Sequence, residues 1–382
     1  MEMKSFCNQS EIKFPYFVNV PINISTYGYQ HHGNLESCWM RCDDSLPKSH
    51  WTDPSFLQSE AESTLAGVLA GVLSIPGTIL NLLVILVIIR TPDLRKEYLT
   101  PSIASITLTD FLLSLYVLPT LSHHNIKREV SFIEGCNLQA LFSWGLWMVS
   151  IFNLVGIAGL RCFAINYPRK TKNESFQYCC TIIPIMAWAL TLIFFLPSLT
   201  HQYGQIGMKC KIFSCSIINV DNEGNPVSPD PMGIYFMIII LSGMVLLILN
   251  IVSYVQVSKQ SRKLFDQIKL INIEEATKIL KNEKRLGKMV GIITASFFLV
   301  YVPLVVIIMA FRDFAYENPI VGVVSFFFSW LLVVIDPLIY IYSNEKYRNG
   351  IRIMLTPILS RVSALKPEAT RTSERQTNTG PT

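Results

Sequence analysis

Two aspartates stand inside long apolar runs, Asp110 in SITLTDFLLSLYV and Asp336 in FSWLLVVIDPLIY. A lone arginine, Arg161, closes another run in AGLRCFAINYPRK. Ionisable side chains in such surroundings are costly to bury, so each is a functional candidate. Asn81 and Ser150 add polar side chains at the middle of two further runs. Two carboxylates facing one small cavity repel, so either one of them holds a proton or a cation sits between them. Asp110, Ser150 and Asp336 therefore form a candidate site for a proton or Na+, the one cofactor the sequence suggests. The alternative is a hydrogen-bonded polar core that only ties the runs together. The pairs His31-His32 and His123-His124 lack ligand spacing to other groups, so no metal centre is expected. The apolar runs hold no nucleophile–base pair and no His/Glu/Asp metal set, so the chain is not expected to be an enzyme.

The elements that must position these residues follow from the composition. The chain has 382 residues, 51% of them hydrophobic and 15% charged, where a soluble domain carries about a quarter charged residues. Seven apolar blocks, 65–89, 99–122, 137–160, 179–199, 232–257, 287–311 and 319–342, are long enough to cross a hydrocarbon core of about 30 Å. Backbone in lipid must pair internally, which makes these blocks helices and the fold an all-α, seven-transmembrane bundle. With residues 1–64 outside, the segments on the inner side hold 23 of the 32 Lys and Arg. That bias places the N-terminus outside and the C-terminus in the cytoplasm. The opening MEMKSFCNQSEIKFPYF has no continuous apolar core, so the first helix is expected to act as its own anchor. Cys7, Cys38, Cys42, Cys136, Cys210 and Cys215 then fall on the oxidising side, and Cys162, Cys179 and Cys180 on the reducing side. Asn8 and Asn23 stand in glycosylation tripeptides of the outer segment.

Two loops are long. The outer one, 200–231, alternates through KIFSCSIINV like a strand and turns through DNEGNP, which suggests a hairpin over the outer mouth. The inner one, 258–288, shows helical spacing among its charges and reads as extensions of the fifth and sixth helices. Residues 357–382 are polar, Ser/Thr-rich and expected to be disordered. No internal repeat is visible, which disfavours a transporter of duplicated halves. A transporter or channel nevertheless remains the alternative to a receptor.

Taken in order, the landmarks of residues 65–356 resemble the rhodopsin-like (class A) family of G-protein-coupled receptors. The matching positions are Asn81 with Val84, Asp110, Trp188, Pro303 in FFLVYVP and DPLIY ending at Tyr340. Cys136 stands 25 residues before Arg161, which is the family's spacing from disulfide cysteine to inner arginine. Tyr347 in SNEKYRNG matches the aromatic of a short amphipathic helix, which would span 343–356. CSIINVDNEGNPVSP, Tyr301 in FFLVYVP and NEKRLGKM are similar to the invertebrate Moody and Trapped-in-endoderm receptors. Leu160 and Cys162 depart from the polar residue and tyrosine that flank the arginine in those receptors.

The resemblance implies a plasma-membrane receptor that binds an extracellular ligand and activates a heterotrimeric G protein. Arrestin and a receptor kinase would meet the Ser/Thr-rich tail, and no nucleic acid is implied. Activation and coupling would involve Arg161, Glu283 (20 residues before Pro303), Tyr254, Tyr340, Pro303, Tyr301 and Phe297. Glu283 would stand in for the acid missing at Leu160. An outer disulfide would join Cys136 to Cys215, favoured over Cys210. Ser143 occupies the position of the amine receptors' aspartate, so a peptide or lipid suits the site better than an amine. Ser143, Trp144 and Trp147 would line the ligand pocket, with Tyr301 and Phe297 nearby, unless these aromatics serve only helix packing.

Overall fold

Each apolar run folds into one helix, in which every backbone group lacking water finds its partner four residues away. In the computed structural model the seven spans are α1 (Glu60–Arg90), α2 (Thr100–Lys127), α3 (Asn137–Asn166), α4 (Glu174–Leu199), α5 (Pro231–Gln267), α6 (Ile273–Ala310) and α7 (Ile320–Ser343). An eighth helix, α8 (Glu345–Ala364), follows at once. The structure describes residues 60–127, 133–167, 170–200, 202–209, 214–218, 228–267, 273–311, 314 and 318–364. Asn8, Asn23, Cys7, Cys38, Cys42, Cys210 and the tail beyond 364 lie outside these residues, as do the side chains of Cys136 and Glu283.

The seven spans are long and apolar enough to cross a membrane, and the chain is a multi-pass membrane protein. α3 runs through the middle, packed against α2, α4, α5 and α6, while α1 packs on α2 and α7. Close approach of α1 depends on Gly77, where an added Cβ would lie 2.8 Å from both Ser114 Cβ and Val333 Cγ2. The inner loop is indeed an extension of two helices, since α5 continues to Gln267 and α6 starts at Ile273. α8 is longer than the expected 343–356, ending at Ala364.

Three spans are irregular. α2 contains a π-helical turn at Leu113–Val117, α3 another at Leu141–Gly145, and α7 is interrupted at Leu331 between Pro319–Trp330 and Leu332–Ser343. A π turn adds a residue to one turn and re-aims the side chains that follow, and such turns concentrate at functional sites. The two π turns touch through Tyr116 and Phe142, whose rings meet edge-on at 5.6 Å.

The hairpin differs from expectation. β1 (Gln205–Lys209) pairs antiparallel with β2 (Ser214–Ile218), so the connection is 210–213 and not DNEGNP. Ile206 faces Ile217 and Met208 faces Cys215, giving both strands the same alternation. A partner drawn from NEGNPVSPD would contain two prolines, each lacking a donor for the ladder. The hairpin lies at one end of the bundle and packs on the start of α3, with α8 at the other end.

Candidate functional site

The polar core is built around a proline. Pro337 has no N–H, so the carbonyl of Val333 one turn earlier loses its helical donor. Asn81 replaces it, donating Nδ2 to Val333 O at 2.7 Å and to Gly77 O at 2.9 Å. Beside this junction is a small cavity between α2, α3, α6 and α7, lined by Asp110, Ser150 and Asp336. The aspartates are 7% and 8% exposed, and Asp110 Oδ2 and Asp336 Oδ1 have no hydrogen-bond partner. Ser150 Oγ shares a 2.8 Å hydrogen bond with Thr109 Oγ1. Ser329 adds a further hydroxyl to the lining. It is not among the residues singled out from the sequence. The signal was present, because Ser329 precedes Asp336 by two helical turns and so shares its face. An all-oxygen set with two carboxylates suits a hard cation such as Na+, or a shared proton.

A second cavity lies toward the hairpin end between α1, α2, α3 and α7. Ser143, Trp144 and Trp147, the residues proposed from the sequence for a ligand pocket, line it together with Phe326 and Trp330 of α7, which the sequence did not single out. Phe297 and Tyr301 line the polar cavity instead, stacked on each other at 4.3 Å. Trp147 and Leu113 border both cavities and form the partition between them. Trp144 donates Nε1 to Cys215 O at 3.3 Å, and Tyr235 donates its hydroxyl to Trp144 O at 2.8 Å. β2 is thereby tied to the aromatic cavity. Cys215 is fully buried beside Ala140 of α3, and among the described residues the free thiols are Cys162, Cys179 and Cys180.

At the α8 end, Arg161 is only 4% exposed, so it does not reach out to lipid headgroups. α6 approaches it through Gly287, where an added Cβ would lie 2.7 Å from Arg161 Nη2. Leu160 belongs to the apolar core, and Cys162 Sγ contacts Gln256 Oε1 of α5 at 3.6 Å. Their side chains pack α3, which is why neither position carries an acid or a tyrosine. Tyr340 is fully buried and stacks on Tyr347 at 6.2 Å, whereas Tyr254 is 77% exposed. Asn344 alone separates α7 from α8, and burial, with Glu97 nearby, pushes the Tyr347 phenol well above the usual tyrosine range. Pro303 lies within α6. Among the described residues, two ion pairs join neighbouring elements here. Arg285 of α6 donates Nε to Ser343 O at 3.0 Å and pairs with Glu345 at 3.2 Å, and Lys346 pairs with Glu97 at 2.6 Å.

Comparison with known proteins agrees with this arrangement. The model of the family described as 7 transmembrane receptor (rhodopsin family) matches residues 80–340. Protein trapped in endoderm-1 of Drosophila melanogaster is 22% identical over 288 residues, 71% of this chain and 72% of that protein. Galanin receptor 2b of Danio rerio is 22% identical over 326 residues, 82% of this chain and 80% of its own length. The crystal structure of squid rhodopsin shares the fold, with a TM-score of 0.69 at 18% identity, covering 81% of this chain and 91% of that one. The chain belongs to the rhodopsin family of seven-transmembrane receptors, which signal through G proteins.

Proposed function

We propose that the protein is a plasma-membrane receptor, N-terminus outside, whose ligand occupies the aromatic cavity and whose α8 end activates a heterotrimeric G protein. The observation that carries this reading is the layout of α3. This helix presents Ser143 and Trp147 to the aromatic cavity, Ser150 to the polar cavity, and buried Arg161 to α6. A shift of Trp147 on ligand binding would be felt in the polar cavity it also borders, and from there by Asp336 and α7. Release of α6 from Arg161 and from the α7–α8 junction would then open a surface for the G protein. Na+ or a proton between Asp110 and Asp336 would favour the closed arrangement. In this reading Cys136 bonds Cys215, the packing of β2 on the start of α3 being its support. The ligand is an extracellular peptide or a lipid rather than an amine, since the described cavity wall has Ser143 and no carboxylate.

The test is ligand-independent nucleotide exchange on a panel of purified G proteins, normalised to surface receptor, with ion currents recorded in the same cells. Exchange that disappears in Arg161→Ala supports the reading. Currents without exchange would return the transporter or channel alternative.

A further inference from the structure

The wall of the aromatic cavity says which chemistry it can hold. Its described lining has no Asp, Glu, Lys, Arg or His, and Ser143 is its one hydroxyl. Ser143 Oγ is buried, borders the cavity and has no hydrogen-bond partner. Gln139, four residues earlier on α3, is fully buried with both amide atoms unpartnered. Buried polar groups without partners are rare and costly, so these atoms are suited to a partner the protein does not itself provide. The nearest spanning carboxylate, Asp110, lies in the other cavity behind Leu113 and Trp147. The space between α3, α5 and α6 is filled by rings, Trp144 against Tyr235 at 5.6 Å and Trp147 against Tyr301 at 5.4 Å.

We infer that the ligand is an uncharged, mostly apolar amphiphile bearing one hydroxyl or amide group, seated between α1, α2, α3 and α7 with that group on Ser143. The inference rests on the reading of this cavity as the ligand site. A charged head would lose its water in a wall with no counter-ion, whereas a hydroxyl or amide both accepts from and donates to a serine. An apolar body of this kind fits the rings of Trp144, Trp147, Phe326 and Trp330.

The experiment uses the full chain in lipid nanodiscs and a set of twelve-carbon probes, each brominated at the chain end to quench tryptophan emission. The heads are an alcohol, a primary amide, a carboxylate, an amine and, as reference, no head group. Saturable quenching by the alcohol and amide, at least tenfold tighter than by acid or amine, is the expected result. Ser143→Ala should reduce the alcohol to the level of the headless probe. Filling the cavity with Val323→Trp, or more gently with Ala66→Leu, should remove saturable quenching by every probe while the protein remains folded by thermal unfolding. Equal or tighter binding of the acid or amine, or no saturable quenching by the alcohol and amide, would overturn the inference. Basal exchange separates the two readings. If exchange is present and lost in Arg161→Ala while no uncharged probe binds, only the ligand class falls. If the alcohol binds but Arg161→Ala leaves exchange unchanged, the coupling reading falls instead.

Discussion

Asn81 and Asp110 are alike in sequence, single polar residues in apolar runs, yet the structure gives them different tasks. Asn81 repairs the α7 backbone where Pro337 leaves Val333 O without a donor. Removing it leaves a buried carbonyl unpaired, which costs about 1–3 kcal/mol. Asn81→Ala should therefore lower the thermal unfolding midpoint in detergent, and an unchanged midpoint would mean that water or another donor takes over. Sequence reading marked Asn81 as important but could not name its partner, because the need arises from a proline on a different helix. Asp110 has a carboxylate oxygen without a partner, and Asp336 has another facing the same cavity. Raising Na+ should lower basal exchange in the wild type, and Asp110→Asn should blunt that response. Ser329→Ala should weaken it as well, since Ser329 contributes an oxygen that the stretch LLVVID does not. Identical exchange in Na+ and in a large organic cation would dispose of the ion and leave the proton.

Between elements, the decisive contacts are those that hold α6. Gly287 brings α6 against Arg161, and α6 is fastened further by Arg285 to Ser343 O and Glu345. An exposed ion pair is worth about 0–1 kcal/mol. Arg285→Ala should thus raise basal exchange by no more than about fivefold, because 1.4 kcal/mol would be a full decade. Glu345→Ala should raise it less, since the bond to Ser343 O survives, and the double variant should match Arg285→Ala alone. Additive increases would show that the two side chains act separately. The helices themselves were legible because each apolar run is long and carries at most one charged residue. Their irregularities were not. A π turn shifts the phase by one residue, which an average over many apolar residues conceals, and the break at Leu331 lies within an unbroken apolar run. Those same irregularities shape the aromatic cavity, so the sequence showed three of its residues and missed Phe326 and Trp330. The hairpin was legible as a strand but not as a pairing, since the partner is fixed by the phase of Ile206 and Met208 against Ile217 and Cys215.

Across the whole molecule the hairpin, two cavities and Arg161 form one stack along α3, and the hairpin's anchorage decides whether the top of that stack is held. Its attachments include the packing of β2 on the start of α3, the bond from Trp144 Nε1 to Cys215 O and the contact of Ser216 Oγ with Met232 Sδ of α5. A covalent link from Cys136 to Cys215 would be a further one. It would close a loop of roughly 80 residues, which chain entropy values at about 4.5 kcal/mol in the unfolded chain. That exceeds one hydrogen bond by several-fold, so the link and not the indole contact should dominate. Cys136→Ser and Cys215→Ser should each cut surface expression or ligand response by a similar amount. The double variant should be no worse than either single, because one shared bond can be lost only once. Trp144→Phe, which removes the indole donor but keeps a ring, should cost much less. Surface labelling in intact cells, scored beside exchange per receptor, measures all four. A damaging Cys210→Ser with a silent Cys215→Ser would move the bond to the other cysteine. The hairpin would then be pinned at 210, at the far end of its connection, and β2 would rest on the aromatic cavity through Trp144 and packing alone.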